Sequence, residues 1–393
     1  MKIKTIVLFC GVMLSTSCFS QVPKGEKLPF TKQVLSQQFL SEGVSVADIN
    51  NDGKKDVLAG YFWFEAPDWK QHEIYPGRVF DPTKEYSNSF PNLAMDVNQD
   101  GWDDQVVVDF PGLPGIWFEN PKNQPGPWKK HMICDTMGIA NESPAFVDID
   151  QDGRTDILCG DPATREIVWL KSPAKGQTKF TRYVISDTAA PGTFRFSHGI
   201  GYGDINKDGK NDIVVKQGWW EGPADPKQPR WKFHPASLGE DCSHMQVFDV
   251  NGDGVNDVVT ASAHQLGIWW FEQQPVNGQE SKWVQHTISE SVSQTHATIM
   301  VDLNKDGKKD LVVGKRFLAH HGSNDPGTFD PAYLLWFESQ PGKAPYWVEH
   351  EVDNDSGAGL NITIDDMNAD GRQDIIIANK KGVFVFLNQI GKK

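Results

Sequence analysis

The sequence predicts an all-β fold, a seven-bladed β-propeller, and three observations carry that prediction. A nine-residue pattern, Asp-x-Asn/Asp-x-Asp-Gly-x-x-Asp, occurs seven times, with starts 45 to 64 residues apart. Every copy is followed by the same succession of short apolar and aromatic runs. The strand that the last repeat lacks is found ahead of the first. A period of this size marks stacked supersecondary units that bury their faces against one another, not a string of independent domains.

Each period divides into four strand-length segments. A short stretch precedes the Asp-rich loop, and an apolar run such as DIVV, DVVT or DLVV follows it. An aromatic run with an acidic end comes third: WFEAP at Trp63, WFENP at Trp117, WWEGP at Trp219, WWFEQQP at Trp269 and WFESQP at Trp336. The fourth is Trp-x-x-His, at Trp69, Trp128, Trp231, Trp283 and Trp347, with FTRYVI at Phe180 as a degenerate copy. Four short β segments punctuated by Gly, Pro and Asn describe one blade. The last repeat stops at GVFVFLN, residues 382–388, while FTKQVLS at 30–36 has no blade of its own. An N-terminal strand completing the seventh blade would close the ring and remove its open edges. Residues 21–393 therefore read as one domain.

Residues 1–20, MKIKTIVLFCGVMLSTSCFS, carry Lys2 and Lys4 ahead of an apolar core and small polar residues. They read as a secretory signal peptide of bacterial type, with cleavage after Ser20 or, alternatively, a lipid anchor at Cys18. The protein is expected to leave the cytoplasm for the periplasm, cell surface or medium. No apolar run approaches the roughly 18 residues of a membrane span. A net charge of −14 argues against nucleic acid, whose phosphates need a basic footprint. Cys134, Cys159 and Cys242 are too scattered for a disulfide framework.

The loops have the donor chemistry of calcium sites. Positions 1, 3, 5 and 9 supply hard oxygens, Gly at 6 permits a sharp turn, and the position-7 carbonyl can complete the shell. The expected ligands in the first two loops are Asp48, Asn50, Asp52 and Asp56, then Asp96, Asn98, Asp100 and Asp104. Next come Asp148, Asp150, Asp152 and Asp156, followed by Asp204, Asn206, Asp208 and Asp212. Asp249, Asn251, Asp253 and Asp257 form the fifth set, and Asp302, Asn304, Asp306 and Asp310 the sixth. Asp366, Asn368, Asp370 and Asp374 complete the series. Up to seven structural calcium ions would neutralise carboxylates that otherwise repel. Tryptophans that recur in every blade read as packing, and so do the five histidines of Trp-x-x-His.

Six of the 11 histidines fall outside the repeat. His198, His244 and His296 precede their loops by five or six residues, which puts them at the starts of innermost strands. His264, His320 and His321 follow second strands, which run back towards the same face. All six are expected at one mouth of the central channel, together with Glu142, Lys315 and Arg316. Such a set suits metal-assisted or acid–base chemistry. The reading gives His244, His296, His320 and His321 to a divalent transition metal such as zinc or manganese. His198, His264 and Glu142 are candidate bases, and Lys315 and Arg316 candidate oxyanion stabilisers.

The repeats resemble the FG-GAP/VCBS family of secreted β-propellers over essentially the whole mature chain. Trp-Phe-Glu-x-Pro, Trp-x-x-His, the strand-start histidines and GKRFLAHHGSNDPG together look like the propeller domain of the aldos-2-ulose dehydratases. That resemblance implies a propeller-bound metal and dehydration of keto-sugars. No cupin segment follows the seventh blade here, so it does not carry over the isomerising step of the fungal enzymes. The expected function is a lyase or dehydratase that enolises a keto-sugar or oxidised glycoside and eliminates the β-substituent. The alternative is a non-catalytic FG-GAP propeller that binds polysaccharide or protein.

Overall fold

The apolar run after each Asp-rich loop becomes the second strand of a four-stranded antiparallel sheet. Strands such as Asp56–Ala59 and Asp212–Val215 are buried at every position, because each has a hydrogen-bonded neighbour on both edges and an adjacent blade on both faces. The computed structural model describes residues 22–276 and 280–391 and contains seven such sheets. The leader, with Cys18, lies outside the described residues.

Blades 1 to 6 are each built from consecutive strands, from Ser45–Ala47 through Tyr346–Asp353. Blade 7 combines Ile362–Asp365, Asp374–Asn379 and Gly382–Asn388 with an outer strand from the other end of the chain, Phe30–Ser36. That strand runs antiparallel to Gly382–Asn388, with Phe30 opposite Asn388. The first strands of the blades lie side by side around the axis, and their residues line a central channel. Among the described residues no helix is long and apolar enough to cross a membrane.

The loop aspartates also organise each blade. The ninth-position carboxylate is buried at the start of the second strand. There Asp56 accepts the N–H of Ile49 (3.1 Å) and of Ala66 (2.8 Å), and Asp104 those of Val97 (3.0 Å) and Asn120 (2.8 Å). One side chain thus ties the loop to the end of the third strand. Burial pushes these carboxyls up, Asp56 to about 6 and Asp104 to about 8. The sixth-position glycines have φ between +79° and +93°; a Cβ would stand in open space at six of them and only touch the tip of Lys305 at Gly371, so conformation, not crowding, demands glycine there.

Between blades, the third-strand tryptophans fill the wedge. Trp117 packs with Ile157, Val168 and Phe180 of blade 3, and Trp169 with Ile213 and Trp220 of blade 4. Within a blade, the outer-strand histidine stacks on the same tryptophan. Ring centroids are 4.1–4.7 Å apart for Trp63–His72, Trp117–His131, Trp219–His234, Trp270–His286 and Trp336–His350. The acid of the aromatic run accepts from the ring, as in Glu65–His72 and Glu119–His131 at 2.7 Å.

Candidate functional site

Three histidines from three adjacent blades meet at one mouth of the channel. His198 sits just before the first strand of blade 4 (Gly201–Gly203), and His296 just before that of blade 6 (Ala297–Val301). His264 lies in the loop between Asp257–Ala261 and Leu266–Gln274 of blade 5. Their ring centroids are 4.8–5.4 Å apart, and one ligand atom from each falls within 4.8 Å of the others. His198 and His296 are buried, and His198 Nε2, His264 Nδ1 and His296 Nε2 are buried without a hydrogen-bond partner. An orphaned buried nitrogen costs about 1–3 kcal/mol, and three in one place is the signature of a site shaped for a ligand.

The protonation states suit a metal. His296 Nδ1 lies 3.2 Å from the Gln294 carbonyl, which fixes that nitrogen as the N–H and leaves the Nε2 lone pair free. Burial holds His198 below the usual histidine range and His296 well below it. Both imidazoles are therefore neutral near pH 7, as ligation requires.

A second group overlaps the first. His320 and His321 lie on the short turn Ala319–Gly322, where Leu318, His320 and His321 all adopt left-handed φ of 48–53°. Non-glycine residues pay about 1–2 kcal/mol each for that conformation. The turn stacks His320 on His264, centroids 4.7 Å apart, and sets its Nδ1 3.1 Å from Asp325 Oδ2. The same oxygen is 3.6 Å from His264 Nδ1, and Gln294 Nε2 donates to it at 3.1 Å. His320, His264 and Asp325 open onto a cavity of about 560 Å³, also lined by Tyr86, Asp241 and His321. A groove of about 650 Å³ runs along His286, Tyr346 and Trp347 at the outer edge. No cluster of metal-ligating side chains lies in it among the described residues, so volume alone does not mark the site.

Beneath the histidines lies a buried ionic layer. Arg316 donates from Nη1 to Glu142 (2.8 Å) and from Nε to Glu42 (3.2 Å), joining blades 6, 3 and 1. Burial pushes the Glu142 carboxyl up, but the charge and hydrogen bond of Arg316 together with the neighbouring His198 and His264 hold it below the usual range. His198 Nε2 is 3.7 Å from the same Glu142 oxygen. Lys315 is buried and donates to Ser293 (3.1 Å) and Gln294 (2.9 Å), while burial pulls its ammonium down to about 8.

The grouping differs from the expected one. His198 and His264, read as bases, stand with His296, and His320 is one step removed. His321 faces Tyr86 at 4.6 Å and Lys380 at 3.5 Å. His244 lines the channel with Gln246, Thr298 and Asn361, outside the cluster. Lys315 and Arg316 point into the protein, not the cavity. Asp325, Gln294, Glu42 and Tyr86 were missed. Asp325 had a signal, the polar GSNDPG after the paired histidines; the others sit at blade starts or in a long loop, without a motif.

In six of the seven Asp-rich loops the first aspartate accepts the N–H groups of positions 5 and 6, as in Asp48 with Asp52 (3.0 Å) and Gly53 (2.8 Å), and in the fifth Asp249 accepts those of Gly252 (2.7 Å) and Gly254 (2.9 Å). A donor set of carboxylates and an amide oxygen fits calcium.

Comparison with known proteins places the chain among repeat propellers. The FG-GAP-like repeat family matches residues 96–159, 148–215 and 249–313. No curated protein matches significantly. The solved structure of BBS1N in complex with ARL6DN is similar with a TM-score of 0.54 and 8% identity, over 93% of this chain and 98% of that one. A lectin of Agrocybe aegerita, described as recognising terminal N-acetylglucosamine, aligns with a TM-score of 0.47 and 14% identity over 90% and 87% of the two chains. A rhamnogalacturonan lyase of Bacillus licheniformis aligns at 0.43 and 12% over 94% and 74%.

Proposed function

The protein is a seven-bladed β-propeller of FG-GAP-like repeats, and from that premise we propose an exported, metal-assisted lyase acting on a neutral keto-sugar or oxidised glycoside. The observation that carries the reading is the convergence of His198, His264 and His296 with buried, unpartnered nitrogens. Three protein ligands are the usual set of a catalytic metal, which leaves a position for substrate. A divalent transition metal there would supply Lewis acidity to the substrate carbonyl.

The chain's own groups do the rest. Asp325, next to His320 Nδ1, favours the N–H at that nitrogen and leaves Nε2 as a base on the cavity wall. His320 takes the proton from the carbon next to the carbonyl, and the C–H electron pair becomes the enolate. The enolate expels the β-oxygen, which leaves with the proton that His320 returns, as water or an alcohol. Glu142, held by Arg316, faces the same His198 Nε2 that would ligate the metal and places negative charge beside the site. The cavity carries Glu240, Asp241 and Asp325, whereas Lys315 and Arg316 are buried beneath it. A neutral polyhydroxylated ring fits this lining better than a uronate or phosphate. Calcium in the Asp-rich loops is part of the proposal and is structural.

Metal analysis of purified protein after mild calcium chelation is the first test. About one zinc, manganese or nickel per chain, with enone absorbance growing on 2-keto or 3-keto sugars, supports the lyase. No retained metal and no keto-sugar consumed would leave a carbohydrate- or protein-binding propeller.

A further inference from the structure

The seven Asp-rich loops are internal controls for one another. In six of them the third position is Asn, and its Oδ1 accepts the N–H of the fifth residue at 2.9–3.1 Å. In four, the Asn Nδ2 then donates to the third-strand glutamate: Asn50 to Glu65, Asn98 to Glu119, Asn251 to Glu272 and Asn304 to Glu338, at 3.2–3.4 Å. The glutamate holds the amide so that its oxygen faces the loop interior.

The third loop departs at each of these points. Its third position is Asp150, and the residue two beyond Trp169, where blades 1, 2, 4, 5 and 6 carry glutamate and blade 7 carries Leu387, is Lys171. The Lys171 Nζ reaches Asp150 Oδ2 at 2.7 Å and Asp152 Oδ2 at 2.5 Å. The Asp152 N–H bonds to Asp148 (3.1 Å), but the bond to position 3 that the other six loops keep is not made. Asp150 has been drawn towards the ammonium. The loop lysines elsewhere differ in kind: Lys54, Lys210 and Lys308 come from position 7, touch the fifth-position aspartate alone among the loop carboxylates, and are 37–51% exposed. Lys171 comes from the strand and is 19% exposed. The position-7 residue of this loop, Arg154, turns away to the carbonyls of Asp96 and Val97 in blade 2.

We propose that the Lys171 ammonium is the resident cation of the third loop, so that blade 3 is charge-balanced by the chain itself and the calcium sites number six. DIDQDGRTD alone carries carboxylates at all four side-chain ligand positions and so looks like the strongest site. Asp148, Asp150 and Asp156 do stand close enough to share an ion. Yet an incoming calcium would have to break two charge-assisted hydrogen bonds and send a half-buried ammonium into solvent beside a new divalent charge. The swap is reciprocal: in blades 1, 2, 4, 5 and 6 a neutral Asn at position 3 goes with Glu on the strand, and in blade 3 an Asp goes with Lys. The inference rests on reading the other loops as calcium sites.

Native mass spectrometry of the full protein in calcium counts the ions. The wild type should hold six, and a variant carrying Asp150→Asn with Lys171→Glu should hold seven. Lys171→Met alone, which keeps the length of the stem, should also gain one ion. A wild type with seven, or folded variants with the wild-type count, would overturn the proposal. Zero calcium in every protein would remove the calcium reading itself. A measurement on the wild type alone covers variants that do not fold: hydrogen exchange with and without chelator. Amides of residues 148–156 should keep their protection while the other six loops lose theirs, and equal loss in all seven would refute the built-in cation.

Discussion

Two sets of histidines in this protein have opposite surroundings. The outer set, one each in five blades, is partnered through Nε2: every ring lies flat on a tryptophan and meets a glutamate, as His131 does with Trp117 and Glu119. In the mouth set His198, His264 and His296 pack edge to face, imidazole against imidazole, and each has a buried nitrogen without a hydrogen-bond partner. Residue type is shared and burial overlaps, His234 and His350 being as buried as His198, so neither alone separates structure from function. Satisfaction does: each outer ring commits a nitrogen to a glutamate of its own blade, and each mouth ring keeps a buried nitrogen without a hydrogen-bond partner.

Removing a mouth histidine is the strongest way to break this contrast. Replacing His296 or His264 by Ala should abolish retained transition metal and lower elimination activity by orders of magnitude, while the melting temperature moves little. A variant that keeps both metal and turnover would dissolve the distinction. Next in size is calcium removal, because the outer set is wired to the loops through Asn–Glu–His contacts such as Asn50–Glu65–His72. A site held at a hundredfold over its dissociation constant is worth about 2.7 kcal/mol, so chelation should lower the melting temperature by many degrees. Imidazole resonances of the outer set should shift with it, and those of the mouth set should not; a uniform shift would contradict the wiring.

A smaller effect is expected at a single outer ring. His131→Ala strips the stack from Trp117 and leaves Glu119 short of a partner, which should cost about 1–3 kcal/mol in chemical denaturation with metal content unchanged. The effect that vanishes at neutral pH belongs to His244, which is in neither set. Burial without a partner for Nδ1 pushes it down to about 4. An unfolded histidine titrates near 6.5, so between these values the unfolded chain binds the extra proton. Stability from this group is therefore complete above about 6.5, declines as pH falls towards 4 by up to about 1.4 kcal/mol per unit, and is flat below. The difference between wild type and His244→Asn should trace that slope; parallel pH profiles would mean the ring is solvated.

The sequence made the blades legible because each carries its own loop and five carry Trp and His at fixed offsets, and local spacing suffices to order four strands. Offsets also told which face the six non-repeat histidines occupy, since strand direction alternates from a known loop. They could not tell which rings touch. That depends on how far each blade start projects towards the axis. His244 is as close to its loop as His296 is to its own, yet it lines the channel wall while His296 meets His198 and His264. Glu42 and Tyr86 were illegible for a related reason: their partners lie across the ring, where no sequence period reaches. Gln294 bonds within its own blade, to Lys315 and Asp325, at a position no motif marks. Lys171 was in plain view as the residue that breaks Trp-x-Glu, but its meaning appears only beside Asp150.

The pairing of Phe30–Ser36 with Gly382–Asn388 sets an order on how the protein comes into being. Every other blade can pair strands from one stretch of chain, so its contacts are short-range and can form as that stretch emerges. The first ordered strand has no partner until nearly the last one has been made. Through the synthesis of six blades it persists as a bare edge, and its pairing is the longest-range contact in the molecule, the kind that forms slowest. Assembly of this ring is therefore gated by its two ends, and a nascent chain is most open to mispairing with its neighbours just before the final strand arrives.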